Sequence, residues 1–155
     1  MKFNGALKNL VLILFSTLLI SACSTAKKAA VDTVDDVYTG TDTIEFLAKG
    51  VPDRVFFATN KSKLTTRSRD TLRKQATFLR KNKDVTVTLE GHADERGTRE
   101  YNLALGEKRA QAVKNYLIGL GINPDRVSTI SYGKERPAVV GSNDGAWAQN
   151  RRSVT

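Results

Sequence analysis

Cysteine and histidine are almost absent from this 155-residue sequence, which has only Cys23 and His92. A lone cysteine excludes an intramolecular disulfide and a thiolate metal cluster, so stability has to come from an ordinary hydrophobic core. A lone histidine is too few for a typical histidine-rich metal site, and no metal is expected. Acidic residues are missing from the first 22 positions, where Lys2 and Lys8 are the only charged side chains. Long apolar runs are equally scarce. The one present, Leu10 to Ala22, is broken by Ser16, Thr17 and Ser21. Spanning hydrocarbon takes roughly 20 apolar residues, so this run is short for a transmembrane helix. Behind a basic start it has the form of a secretory signal over residues 1–22.

The run ends in Ile20, Ser21, Ala22 and Cys23, which resemble the bacterial lipobox. That resemblance implies diacylglycerol on Cys23 and cleavage just before it, and no cofactor beyond this covalent lipid is expected. Each buried methylene contributes about 0.8 kcal/mol, so two or more acyl chains on one residue give stable attachment where a single chain is marginal. Ser24 follows, and the absence of aspartate there resembles lipoproteins sorted to the outer membrane.

The formal charge of +9 is unevenly spread. Residues 23–50 carry three lysines against five acids, whereas residues 51–155 carry twenty basic and eleven acidic side chains. The second region favours anionic partners in general: nucleic acid, anionic lipid or a carboxylate-rich polymer. A basic helix at 67–83 would suit nucleic acid, but an exported protein does not meet it, so nucleic acid is not an expected partner. Residues 24–50 show no sustained apolar face and read as a linker. Its relaxed span is roughly 30 Å and its stretched span roughly 90 Å. A short helix over 42–48 is the one element expected within it.

From about residue 51 the periodicity changes. Arg54 to Ala58 reads as a buried strand, and Thr65 to Lys83 as a helix with Leu72, Ala76 and Leu79 on one face. Val85, Val87 and Leu89 alternate with polar residues, the two-residue period of a strand, which Gly91 is expected to end. A polar loop follows over 91–98. Arg99 to Gly119 is the strongest helix, with Leu103, Gly106, Ala110, Val113 and Leu117 at spacings of three and four. Gly119, Gly121 and Pro124 stop it. Val127 to Tyr132 is a strand, Asp144 to Gln149 a short helix, and Arg151 to Thr155 a last strand. The order β-α-β-α-β-α-β predicts an α+β domain with helices packed on one sheet.

Asp94 sits in a loop bounded by Gly91 and Gly97, where the backbone can turn tightly and present a carboxylate. Asn102, Leu105 and Arg109 are separated by helical steps of three and four, so they share a face adjoining that loop. A carboxylate and a guanidinium placed apart suit a zwitterion, with Asp94 facing an ammonium and Arg109 a carboxylate. The bland alternative is an ion pair or two solvated surface charges.

The stretch from Leu89 to Ala110, LEGHADERGTREYNLALGEKRA, is followed by SYGKERP at 131–137 and NRR at 150–152. Together they closely resemble the OmpA-like peptidoglycan-binding domain, and within that group the peptidoglycan-associated lipoproteins. The resemblance runs from about Val55 to the C-terminus. It implies helices on one mixed sheet, no enzymatic activity, and a pocket for the free end of diaminopimelate in wall peptides. Matching positions assign the ammonium to Asp94 and the carboxylate to Arg109, with Asn102, Leu105 and the loop at Asn60 as supporting contacts. Phe57, Ala58, Thr59 and Asn60 stand where many relatives have aspartates, which removes a side-chain carboxylate and leaves the backbone. The implied partners are peptidoglycan, the outer membrane through the lipid, and TolB with the Tol complex. The role implied is a link from outer membrane to wall in envelope integrity and cell division.

The alternative is a peptidoglycan hydrolase using two of Asp94, Glu95 and Glu100 as acid and second carboxylate. No sequence feature forces their pKa values apart, and Arg96 and Arg99 would tend to keep them ionised. His92 reads as a turn residue held by hydrogen bonds, and Trp147 as core. Arg151 and Arg152 line the site or fix the last strand. The sequon Asn60-Lys61-Ser62 is read as chance.

Overall fold

A computed structural model describes residues 46–155; the signal segment, Cys23 and most of the linker lie outside the described residues. The described chain begins with a small antiparallel pair, β1 (Phe46–Ala48) and β2 (Val51–Pro52). Phe46–Ala48 is thus extended where a helix over 42–48 was expected; residues 42–45 of that span are not described. The rest follows as β3 (Arg54–Phe56), α1 (Thr66–Lys81), β4 (Val87–His92), α2 (Arg99–Gly119), a 3-10 turn (Pro124–Arg126), β5 (Val127–Gly133), α3 (Asp144–Asn150) and β6 (Arg152–Val154). The four-stranded sheet has the order β3-β6-β4-β5, so the α+β class holds and the sheet is mixed. β4 and β5 run parallel, joined by α2, while β6 pairs antiparallel with β3 and β4.

Each helix starts where its sequence supplies a cap. Thr65 accepts a hydrogen bond from the Ser68 amide, Thr98 from Tyr101, and Asn143 from Ala146, each satisfying one otherwise unpaired N–H of a first turn. α2 closes in a Schellman arrangement, with the Ile122 amide donating to Leu117 O and the Gly121 amide to Ile118 O. Gly121 has φ +87°, which a side chain would strain, and Ile122 is buried against the core. α1 ends on a side chain that is remote in sequence. The Arg126 guanidinium donates to the carbonyls of Leu79, Asn82 and Val85.

The core lies between α1, α2 and the sheet, built on Val55, Leu72, Leu79, Leu89, Val113 and Leu117. Gly91 does not end β4, which continues to His92. A Cβ on Gly91 would stand 1.9 Å from Gly106 O, and one on Gly106 would stand 2.3 Å from Ser131 Oγ. The glycines bring helix backbone directly onto strand backbone, and that contact sets the depth at which α2 delivers its side chains. The β4–β5 register then shifts, pairing Gly91 with Ser131 but His92 with Gly133. The irregularity falls where the strand hands over to the loop carrying Asp94.

Candidate functional site

α2 buries a mixed face: Asn102, Leu105, Gly106 and Arg109 together with Ala110, Val113 and Leu117. Arg109 is wholly buried, and its charge is accommodated by main-chain oxygens. Its Nε donates to Lys61 O at 2.9 Å, Nη1 to His92 O at 2.7 Å and Nη2 to Ala58 O at 3.2 Å. One side chain therefore joins the loop after β3, the end of β4 and the middle of α2. Two of its five N–H groups remain uncommitted among the described contacts. Burial pulls its pKa down to about 10, against the opposing pull of the Asp94 charge, so the group stays cationic at neutral pH.

Asp94 lies across from it, 7% exposed, and the two do not bond each other among the described contacts. Asp94 Oδ1 accepts from the Arg96 amide and from Arg96 Nε, both at 3.1 Å. Its Oδ2 accepts from Arg96 Nη2 at 2.8 Å and from Arg151 Nη1 at 3.5 Å. Burial alone would raise the Asp94 pKa. The hydrogen bonds and charge of Arg96, with the charge of Arg151, outweigh it and hold the carboxyl below its ordinary value. The loop under Asp94 is braced from two sides. Asn102 Nδ2 donates to Arg96 O at 2.9 Å, and Lys134 Nζ donates to Gly97 O at 2.8 Å.

The predicted residues thus fall in one neighbourhood with different parts. Asn102 is buried and spends its side-chain amide on the loop, and Leu105 is buried on the same helix face. Asn60 is exposed, with φ +56°, in the turn whose flanking carbonyls at Ala58 and Lys61 receive Arg109. Arg151, which the sequence leaves between this site and the last strand, joins them together with Arg96 and Trp147. Arg151 reaches Asp94 while its Nε donates to Phe57 O at 3.1 Å, tying α3 and β6 to the site. Arg96 covers the carboxylate. Trp147 is half-buried rather than core, with the Arg96 guanidinium 4.1 Å from its ring centre and its Nε1 donating to Glu95 Oε1 at 2.9 Å. The motif places Arg96 beside Asp94 in sequence, but only the fold brings Trp147 and Arg151 there.

His92 also differs from expectation. It is the last residue of β4, 1% exposed, and neither ring nitrogen has a well-formed hydrogen bond among the described residues, although the Arg136 backbone lies near enough to act on it. Its ring lies 5.6 Å from that of Tyr132, and Glu90 Oε2 is 3.6 Å from Nε2. Burial, then the nearby Arg152 charge, lowers its pKa to about 3, so it is neutral in the folded protein. Arg152 donates to Arg136 O at 3.2 Å, which fixes the last strand rather than Asp94.

Hydrolysis of a glycosidic bond needs one carboxyl held protonated beside a second, ionised one. Asp94 is shifted the other way, and so is Glu95, by hydrogen bonds from Trp147 and then Ser142. Among the described residues no group of three histidine, cysteine or carboxylate side chains is placed to hold a metal ion.

The profile of the OmpA family matches residues 56–151, and the chain belongs to that family. Its relatives there are narrower in kind. The peptidoglycan-associated lipoprotein of Brucella melitensis is 40% identical over 151 residues, covering 94% of this chain and 89% of that one. That of Pasteurella multocida is 36% identical over 148 residues, covering 96% of each. The crystal structure of the peptidoglycan-associated lipoprotein from Burkholderia pseudomallei is 37% identical, with a TM-score of 0.64 over 66% of this chain and 86% of that one.

Proposed function

We propose that this domain holds peptidoglycan without covalent chemistry, gripping the free end of diaminopimelate in a wall peptide. Asp94 receives the ammonium and Arg109 the carboxylate, while Asn102, Leu105 and the backbone around Asn60 shape the place between them. The observation that carries this reading is the charge pattern. One carboxylate, kept ionised, stands near a buried guanidinium that is held by three carbonyls instead of by that carboxylate. The names of the relatives support peptidoglycan as the polymer held.

Each charge-assisted hydrogen bond contributes about 1.5–3 kcal/mol, so one site holds one peptide modestly and exchanges fast. Tethering changes the outcome. A domain on a linker (residues 23–50) from a lipid on Cys23, exposed by removal of residues 1–22, meets the mesh at millimolar effective concentration. Many copies on one polymer then sum to a firm link that can still yield during growth. The placement proposed is the periplasmic face of the outer membrane, with TolB and the Tol complex as soluble and membrane partners in cell division. Recovery of TolB with the anchored protein after crosslinking tests that partnership, and failure to recover it removes that part of the proposal.

Calorimetric titration with a diaminopimelate-containing tetrapeptide tests the site. Wild type is expected to bind saturably and to release no soluble muropeptide from intact wall. Asp94→Asn and Arg109→Lys each lose at least about tenfold in affinity, one broken charge-assisted contact being worth about 1.4 kcal/mol or more. Equal binding by all three discards the assignment, and released product favours the hydrolase.

A further inference from the structure

The Asp94 carboxylate already has a cation on it. Arg96 meets Asp94 with two parallel N–H donors, Nε to Oδ1 at 3.1 Å and Nη2 to Oδ2 at 2.8 Å, so both carboxylate oxygens are engaged. An incoming ammonium needs those same lone pairs. The two partners differ in burial: the Asp94 side chain is 9% exposed and that of Arg96 41% exposed. Arg96 therefore lies on the solvent side of the carboxylate, whereas Arg151, 10% exposed and tied to Phe57 O, lies on the buried side.

We propose that Arg96 is a displaceable latch: it occupies the ammonium position on Asp94 until ligand exchanges for it, and so sets both affinity and selectivity. This rests on the proposed diaminopimelate site. Arg96 has somewhere to go without losing every partner. Its guanidinium already lies 4.1 Å from the Trp147 ring centre, and the indole is held in place by Glu95 at 2.9 Å. Stacking on an aromatic face favours a guanidinium in part-exposed surroundings, and the acidic Glu95 and Asp144 lie near enough to act on its charge.

Selectivity follows from the charge count. Arg96, Arg109 and Arg151 surround the single carboxylate of Asp94. With Arg96 displaced toward Glu95 and Asp144, Arg109 and Arg151 remain beside Asp94, two cations on one carboxylate. The site therefore favours a ligand whose ammonium travels with a carboxylate over one that brings an ammonium alone.

The experiment is titration of the tetrapeptide, and separately of cadaverine, into wild type, Arg96→Gln, Trp147→Leu and the double variant. Arg96 is 41% exposed and solvent screens its hold on Asp94, so Arg96→Gln is expected to bind the tetrapeptide up to about fivefold more tightly. Trp147→Leu, which removes the resting place, weakens binding in the wild-type background and has no effect once Arg96 is glutamine. Cadaverine binds at least tenfold more weakly than the tetrapeptide to wild type, and gains more than the tetrapeptide does from Arg96→Gln. Equal or weaker tetrapeptide binding by a folded Arg96→Gln overturns the latch while leaving the site intact, as does a Trp147 effect that persists without Arg96. Failure of wild type to bind overturns the site itself, and the latch with it.

Discussion

The two long helices cover the core by different means. α1 buries Leu72, Ala76 and Leu79 with two neutral polar side chains, Ser68 and Gln75, that donate to the carbonyls of Phe56 and Pro52, and it leaves Arg73, Lys74 and Lys81 in solvent. α2 lowers glycine onto glycine at Gly106 and Gly91, then buries Asn102 and a whole arginine beside that contact. The first arrangement buries no charge, only aliphatic carbon and two neutral groups with hydrogen-bond partners. The second is specific: a buried cation is stable here only because three carbonyls from two other segments converge on it. Charge exposed on α1 can attract anions at a distance, while charge buried under α2 can distinguish one ligand from another.

The comparison can be broken at the glycine contact first. Gly91→Ala puts a methyl 1.9 Å from a helix carbonyl, and α2 has to lift. The expected loss is about 3 kcal/mol or more in urea unfolding, with tetrapeptide binding lost along with helix depth. Unchanged stability would mean that the contact does not set the position of α2. On the α1 side, Leu72→Ala should cost about 2–4 kcal/mol through an unfilled cavity, yet the folded fraction should bind tetrapeptide as wild type does. Weakened binding by folded Leu72→Ala would show that the two sides are not separable.

A pH series sharpens the contrast, because its main titrating group lies behind the α2 site. His92 is neutral when folded, its pKa lowered to about 3 from 6.5. Well above pH 6.5 neither folded nor unfolded chain protonates it, so it contributes no pH dependence there. As pH falls from 6.5 toward 3, the unfolded chain binds a proton that the folded chain refuses, and stability falls by about 1.4 kcal/mol per unit. Between pH 7 and pH 5 the expected loss is about 2 kcal/mol. His92→Leu should flatten that slope, and an unaltered slope would assign the effect elsewhere. Asp94 has its carboxyl depressed, so its contribution is lost only on stronger acidification.

Much of this was legible in the residues. The bounds of α2 follow from apolar spacing, a threonine cap and a glycine stop, all local signals. Asp94 and Arg109 stand out through a motif confined to 22 consecutive residues. What the residues leave open, such as whether Arg151 serves the site or the last strand, depends on distance along the chain. Arg151 is 57 residues from Asp94 and arrives only because β6 inserts between β3 and β4. Trp147 reaches Glu95 across 52 residues for a similar reason. Gly91 is ambiguous in sequence because a glycine that ends a strand and one that admits a helix look alike until the partner glycine is known. The β1–β2 pair has three and two residues, too few to show a period.

The central claim is that the buried charges near α2, and not the exposed ones on α1, recognise the wall. Amide NMR of the protein during titration with the tetrapeptide tests it most directly. Shifts are expected to concentrate at residues 58–61 and 93–97 and around Arg109, with Arg73, Lys74 and Lys81 unmoved at physiological salt. Shifts centred on α1 that vanish as salt rises, with the Asp94 loop silent, would contradict it.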